Sequence, residues 1–455
     1  MSVPPPKETR PPLPRGPFLV VGLARSGIAA ARLLAGRGEE VIGVDSGNPD
    51  AAAGLRGVGV EVFLDSDGLA LLDGVRTVVK SPGVPREAPV IAAALGRGLD
   101  VVGELELAWR TLPNRFLAVT GTNGKTTTVE LLGHLYRTAA EPVAVAGNVG
   151  TPLAELVGQV EPDATVVCEC SSFQLEDTTA FAPECAVFLN LAPDHLDRHH
   201  DLESYLAAKL RIFANQGNDD VAIYNADEPE LAGTDLGGCA RRISFCTGAG
   251  PDCEVALAEG TIFYDGEPLL RATELGVFGE HSVANAMAAA AAALSMGLDR
   301  EAVREGLRSF AGVPHRLEQV AEIDGVRFVN DSKATNVASA TVGIRAFEGG
   351  VHAILGGSEK GEPYAPLLDP IRESCAACYL VGATSDRMAE ELAPALGAGI
   401  ALHRCADLEE AVARATTAAA SGEVVLLSPA CASFDAFENF ERRGERFREL
   451  VEGLK

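Results

Sequence analysis

Phe116-Leu-Ala-Val-Thr-Gly-Thr-Asn-Gly-Lys-Thr-Thr-Thr128 is the stretch on which the reading of this chain turns. Phe116 to Thr120 is an apolar run of strand character. Gly121 to Gly124 form a tight loop, and an amphipathic helical pattern follows from Lys125 to Arg137. Such a loop points successive backbone N–H groups into one concavity at the positive end of a helix, where phosphates bind. Gly121, Thr122, Asn123, Gly124, Lys125, Thr126 and Thr127 are therefore the candidate phosphate-binding residues. Lys125 would reach the outer phosphates, and the Thr126 hydroxyl would meet Mg²⁺. Val119 stands where the usual pattern has its first glycine, so the match rests on the Gly-Lys-Thr ending and the strand before it. The segment predicts a nucleoside triphosphate site.

Outward from this loop the chain reads as α/β. Apolar runs at Phe18–Val21, Val41–Val44 and Thr77–Val79 alternate with Ala/Leu-rich helical patterns, the signature of parallel sheets covered by helices. A second series runs through Thr165–Glu169, Cys185–Asn190 and an Ala-rich helix at His281–Met296. A third runs through Arg327–Asn330, Ala353–Leu355, Tyr379–Val381 and Val424–Leu427. Pro/Gly punctuation at Thr111-Leu-Pro113 and Gly312-Val-Pro314 marks the joints. The expected domains are 16–111, 112–313 and 314–455, after a disordered, Pro-rich leader over 1–15.

A formal net charge of −26 argues against a general nucleic-acid or anionic-membrane surface, since both need clustered Lys and Arg. The chain lacks a run of about 18 apolar residues, which argues against a membrane-spanning helix. The ten cysteines are expected to be reduced, and Cys375-Ala-Ala-Cys378 is read as buried small hydrophobes rather than a zinc or redox site. A cytoplasmic protein is expected.

In the first block, Phe18-Leu-Val-Val-Gly-Leu-Ala-Arg-Ser-Gly27 opens a helix and Asp45 ends the next strand. This nearly matches a dinucleotide fingerprint, but Ala24 replaces the glycine that admits a pyrophosphate. Two ligands stay open, a redox dinucleotide or another nucleotide diphosphate. Ser81-Pro-Gly-Val84 is either a plain β-turn or a second ligand contact at the same sheet edge. In the second block, Glu169 ends a buried strand and is a natural Mg²⁺ ligand. Pro193-Asp-His-Leu-Asp197 is either a cation or phosphate site or a polar loop. Lys209 lies in an apolar-rich helix, where a long cationic stem either snorkels or, buried with a lowered pKa, becomes open to chemical modification.

Taken together and in this order, these residues resemble the Mur ligase family of ATP-dependent amide-bond-forming enzymes of peptidoglycan synthesis. The shared marks are Thr120–Thr126, Gly147-Asn-Val-Gly150, Glu169, Asp194-His195 and Lys209. Asp331-Ser-Lys-Ala-Thr-Asn336, Ser428-Pro-Ala-Cys-Ala-Ser-Phe-Asp435 and Phe437-Glu-Asn-Phe440 look like the D-glutamate-adding branch. The resemblance implies three domains: a Rossmann-like N-terminal domain, a central P-loop ATPase-type domain and a C-terminal Rossmann-like domain. It implies that ATP activates the carboxylate of UDP-N-acetylmuramoyl-L-alanine as an acyl phosphate, which D-glutamate then attacks. It also implies site residues. Ser26, Gly27, Asp45, Ser46, Ser81, Gly83, Asn148 and His195 would bind the precursor, and Asn285, His315, Arg316, Asp331 and Lys333 would join the loop on ATP. Lys333, Thr335, Lys360, Ser433, Phe434 and Phe440 would surround D-glutamate. Two Mg²⁺ sites would draw on Thr126, Glu169, His195 and a carbamylated Lys209, with Lys125, His195 and Lys209 catalytic. Position 282 is Ser where the family more often has Asn, and Ser358 stands where an acid is common. The expected partners are these small molecules alone, bound by a monomer.

Overall fold

A computed structural model describes residues 3–7, 9–248, 253–277, 279–359, 361–397 and 399–454. The chain divides into two compact units, Met1–Leu275 with His281–Phe310, and Gly276–Glu280 with Ala311–Lys455.

The first unit holds two sheets. Strands β1 (Phe18–Val21), β2 (Val41–Val44), β3 (Glu61–Phe63), β4 (Thr77–Lys80) and β5 (Asp100–Gly103) lie in the order β3-β2-β1-β4-β5, all parallel. The larger sheet contains β6 (Phe116–Thr120), β7 (Val143–Gly147), β8 (Thr165–Glu169), β9 (Cys185–Phe188), β10 (Val221–Asn225), β11 (Arg241–Cys246), β12 (Val255–Ala258), β13 (Thr261–Tyr264) and β14 (Glu267–Arg271). Their order is β14-β13-β12-β11-β10-β9-β6-β8-β7, parallel from β7 to β12 and antiparallel beyond. Every residue of β6 is buried, as a central parallel strand covered on both faces requires.

The two sheets share one apolar core, in which Phe18 and Leu34 belong to the same cluster as Trp109, Phe116, Phe181 and Phe188. Glu106 fastens the joint. Its buried carboxylate accepts from the Thr179, Ala180 and Phe181 backbone N–H groups, each at 3.0 Å, and pairs with Arg110 at 2.7 Å. A buried carboxylate with so many donors stays solvated by protein.

The second unit is a mixed sheet of β15 (Glu318–Ile323), β16 (Val326–Asn330), β17 (Val351–Gly356), β18 (Cys375–Val381), β19 (Ala401–Arg404) and β20 (Val424–Leu427). Its order is β15-β16-β20-β17-β18-β19, with β15 antiparallel at one edge. Apolar clusters cover its two faces.

Two expectations are corrected. The described residues of the N-terminal segment carry no helix or strand, yet they are docked rather than loose. The Arg10 guanidinium donates to the carbonyls of Trp109 (2.6 Å), Leu112 and Asn114 (2.5 Å), and it lies 4.9 Å over the Trp109 ring. Lys7 pairs with Asp220 at 2.6 Å. Nor are all cysteines reduced. Cys246 and Cys253 form a disulfide, because the neighbouring ends of β11 and β12 bring their Cα atoms to 6.1 Å. Cys375 and Cys378 are free thiols. Among the described residues no helix is long and apolar enough to cross a membrane.

Candidate active site

In parallel sheets, ligands sit beyond the carboxyl ends of strands, where the chain order reverses. β6 is such a strand, with β8 on one side and β9 on the other. Its end carries the loop Gly121–Gly124 into the helix Lys125–Thr138. Gly124 is obligatory on two counts. Its φ is +81°, and a Cβ there would lie 2.3 Å from Asn285 Oδ1. Asn285, in the helix Glu280–Ser295, is thereby placed against the loop. From the β9 side, Asn190 Oδ1 accepts the N–H groups of Thr122 (3.1 Å) and Asn123 (2.8 Å).

On the β8 side a line of polar groups forms. Thr126 Oγ1 donates to Glu169 Oε2 at 2.8 Å, and Asn148 Nδ2 donates to Glu169 Oε1 at 3.0 Å. Adjacent strand ends account for this, since Glu169 ends β8 and Asn148 follows β7. A hydroxyl and a buried carboxylate are hard oxygen donors, and so small a protein donor set suits Mg²⁺, which takes its remaining ligands from phosphates and water.

Two lysines meet behind the loop. Lys125 Nζ donates to Gly121 O (2.9 Å) and Thr122 O (2.8 Å), and Lys209 Nζ donates to the same Gly121 O at 2.6 Å. Lys209 is 1% exposed. Burial, together with the charge of Lys125, holds its amine well below the usual lysine range, against opposing pulls from Asp194 and Glu169. Its Nζ lies 4.4 Å over the Tyr205 ring, and the His195 ring sits 6.5 Å from that same ring. His195 is exposed, with φ +53°, at the start of the short helix Leu196–His199.

The first sheet brings its own turns together, because β1 and β4 are neighbours. Ser81 Oγ donates to Gly22 O at 2.6 Å. Gly27 is packed so closely that a Cβ would lie 1.9 Å from Gly22 O. Asp45 holds the turn after β1, accepting from Leu23 N (2.6 Å) and Gly47 N (2.8 Å). Ser26 is half-buried, while Ser46 and Gly83 are exposed. Arg25 donates to the Gly150 carbonyl, tying this turn to the loop that bears Asn148.

In the second unit, Asp331 directly follows β16 and Ser428 directly follows its neighbour β20, and Ser428 Oγ donates to Asp331 Oδ2 at 2.7 Å. Lys333 Nζ lies 5.5 Å over the Phe440 ring, and His315 is 6.2 Å from that ring. Burial holds the His315 imidazole below its ordinary value.

Comparisons with known proteins agree with this geometry. Residues 17–103 match the model of the Mur ligase MurD-like N-terminal domain, 119–293 the Mur ligase middle domain and 315–431 the Mur ligase glutamate ligase domain. Similar proteins include the UDP-N-acetylmuramoylalanine–D-glutamate ligases of Acidobacterium capsulatum, 42% identical over 95% of either chain, and of Pelotomaculum thermopropionicum, 41% identical over 97% of this chain and 98% of that one. The chain belongs to the Mur ligase family. Solved Mur ligases share its fold. The UDP-N-acetylmuramate–alanine ligase of Thermotoga maritima aligns with a TM-score of 0.57 at 20% identity, over 96% of this chain and 99% of that one. The MurF ligase of the same organism, solved with ADP, gives 0.57 at 19%, over 85% and 91%.

Among the residues singled out from sequence, this Mur ligase gathers Gly121–Thr127, Asn148, Glu169, Lys209 and Asn285 around one loop. His195 stands by Tyr205. In the second unit Asp331 adjoins Ser428, and Lys333 N accepts a place in the loop by donating to His315 O at 3.0 Å. Ser433 is buried, whereas Phe434 is 74% exposed. Arg316 pairs with Val313 in an isolated bridge, and Thr335 N donates to Lys333 O at 2.8 Å. Lys360 lies outside the described residues. Sequence reasoning missed Asn190 and Arg443. Arg443 is buried and donates to Ser332 O (2.9 Å), Cys431 O (3.0 Å) and Ala432 O (3.2 Å), stitching the Asp331–Asn336 segment to the Ser428–Asp435 segment.

Burial raises the Asp331 carboxyl from 3.8 to about 7. The folded chain therefore holds a proton that the unfolded chain releases, and this group's stabilising effect is full below its unfolded pKa and fades as pH rises through about 7. Asp331→Asn should flatten that decline. The check is the urea midpoint at pH 5.5 and at pH 8: the drop between them should be smaller in the variant than in the wild type.

Proposed function

We propose that this chain joins D-glutamate to UDP-N-acetylmuramoyl-L-alanine at the expense of ATP, as a monomer in the cytoplasm. The three domains would be 16–111 for the precursor, 112–313 for ATP and 314–455 for the amino acid. The observation that carries the reading is the buried patch in which the phosphate loop, Glu169 and Lys209 converge on Gly121 and Thr126. The choice of D-glutamate is supported by relatives about 40% identical over nearly the whole chain, which bear that activity in their names.

A carboxylate is inert towards amines at neutral pH, so the reaction needs activation. The terminal carboxylate of the precursor attacks the γ-phosphorus of ATP, ADP leaves, and an acyl phosphate forms. The D-glutamate amine then attacks the acyl carbon, the C–O bond to phosphate breaks, and the amine loses a proton as the amide forms. Lys125 swings from the Gly121 and Thr122 carbonyls to the outer phosphates, and the loop N–H groups neutralise the remaining charge. Thr126 and Glu169 would hold one Mg²⁺, and His195 with a carbamylated Lys209 a second; the ions would draw negative charge off the phosphates and align the groups. Ser26, Gly27, Asp45, Ser46, Ser81, Gly83, Asn148 and His195 are proposed for the precursor, Asn285, Arg316, Asp331 and Lys333 for the nucleotide, and Lys333, Thr335, Lys360, Ser433, Phe434 and Phe440 for D-glutamate.

ADP release should require both UDP-N-acetylmuramoyl-L-alanine and D-glutamate. Equal release with L-alanine or a diamino acid in place of D-glutamate would remove the specificity. Release independent of any amino acid would remove the ligase reading itself.

A further inference from the structure

At the first-sheet side of the site, four groups form a closed cluster. Lys80, the last residue of β4, is wholly buried, and its Nζ contacts Glu176 Oε1 at 3.1 Å, Asp177 Oδ2 at 2.7 Å and the Val84 carbonyl at 3.0 Å. Arg198 comes from the short helix that starts at His195. Its Nη2 contacts the same Glu176 Oε1 at 2.8 Å and the same Val84 carbonyl at 2.9 Å. One carboxylate oxygen and one carbonyl oxygen thus each accept from both cations. Arg86 adds a bond to the Glu176 carbonyl at 3.2 Å.

Each corner of the cluster leads to a different part of the site. The Val84 carbonyl closes the turn Ser81–Val84, where Val84 N donates to Ser81 O at 3.0 Å. Glu176 follows the short helix Ser172–Leu175, whose capping box, Ser171 with Gln174, begins two residues after Glu169. The Arg198 guanidinium lies 4.8 Å over the Phe173 ring, and the His195 ring approaches that ring at 4.9 Å. His199 stacks on Phe173 and bonds Ser172 Oγ at 2.9 Å. The joint between the first two sheets is already held by the shared core and by Glu106, so the cluster is not needed merely to keep them together.

We propose that Arg198, Glu176 and Lys80 are positioning residues that set the Ser81–Gly83 turn relative to the His195 imidazole. They fix the spacing of the precursor's contacts without touching the nucleotide loop. The inference rests on the functional reading above. A partly buried ion pair that bridges two loops fixes geometry more than it adds stability, and displacing a substrate-contacting group by about 1 Å can cost on the order of a hundredfold in rate.

The test pairs turnover with calorimetric binding of UDP-N-acetylmuramoyl-L-alanine and, separately, of a non-hydrolysable ATP analogue. Arg198→Ala and Glu176→Gln should weaken precursor binding and raise its KM roughly tenfold or more, while analogue affinity stays within about twofold. Arg198→Lys keeps a charge facing Glu176 but gives up the guanidinium plane that lies over the Phe173 ring, so it should fall between Arg198→Ala and the wild type and should report on the cluster even if Arg198→Ala folds poorly. Precursor affinity unchanged in folded Arg198→Ala, or analogue affinity falling in parallel with it, would overturn the inference. So would a wild-type chain that does not bind the precursor. A wild type that binds the precursor but shows no D-glutamate-dependent turnover would instead overturn the functional reading, and the binding comparison would still decide the role of the cluster.

Discussion

Lys125→Ala is expected to lower turnover by roughly a thousandfold or more while the protein remains folded, because in the proposed mechanism its ammonium meets the outer phosphates, a charge that the loop N–H groups and Mg²⁺ would complement but not replace. Its present partners include the Gly121 and Thr122 carbonyls. The side chain is half-buried, so water can reach those carbonyls once the amine is gone, and the structural cost is that of exposed hydrogen bonds, about 1 kcal/mol. The measurement is kcat for ADP release beside a thermal melt. Turnover within tenfold of wild type would remove Lys125 from the mechanism, and a collapsed melting transition would show that the loop needs the lysine for folding. The variant should also change Lys209. With one ammonium fewer near the shared Gly121 carbonyl, part of what depresses the Lys209 amine is relieved, and its pKa should rise.

The sheets were legible because parallel strands buried on both faces write themselves as short apolar runs, and β1, β2, β8 and β20 fall where those runs lie. The three antiparallel hairpins were not read, although the signal was present. Asp265-Gly266 joins β13 to β14, Asp324-Gly325 joins β15 to β16, and Glu259-Gly260 joins β12 to β13, each with positive φ at both positions. That is the chemistry of two-residue hairpin turns. Arg10 was illegible for a different reason. Its partners are 99 to 174 residues away in the chain, and nothing local in a Pro-rich segment announces them.

The site shows the same division. Gly124, Lys125, Thr126 and Glu169 lie in or beside one local motif, and their chemistry follows from residue type and strand order. Arg443 sits in Glu441-Arg-Arg-Gly-Glu445, a charge-dense stretch that reads as a solvated helix face. It is nonetheless buried, and burial holds its guanidinium at about 10. The neighbouring Gly444 makes this possible, since a Cβ there would lie 2.1 Å from His315 Nδ1. The helix can approach the His315 turn only through a residue with no side chain. Tyr205 likewise read as one more apolar helix position, and only the fold shows its ring between Lys209 and His195.

Lys209→Ala should be as inactive as Lys125→Ala, and its loss should be partly reversible. Two amines share the Gly121 carbonyl, and the buried one is the one held towards the neutral form. A neutral lysine amine can add to CO₂, forming an N–C bond and releasing a proton, and the product is an anionic carbamate with the oxygen donors that a hard cation prefers. Alanine leaves a gap where that carboxylate would stand, so acetate or another short carboxylic acid should restore part of the turnover. The pH dependence has a definite sign. As pH falls below the depressed pKa, the amine is protonated and can no longer hold CO₂, so wild-type activity should fall on the acid side and recover with added bicarbonate. The acetate-rescued variant has no amine to protonate and should lack that bicarbonate-sensitive limb. Unrescued Lys209→Ala with full activity would sink the modified-lysine proposal. An inactive variant that no carboxylic acid restores, together with a wild type indifferent to bicarbonate, would leave Lys209 as an unmodified amine that serves the loop through its bond to Gly121.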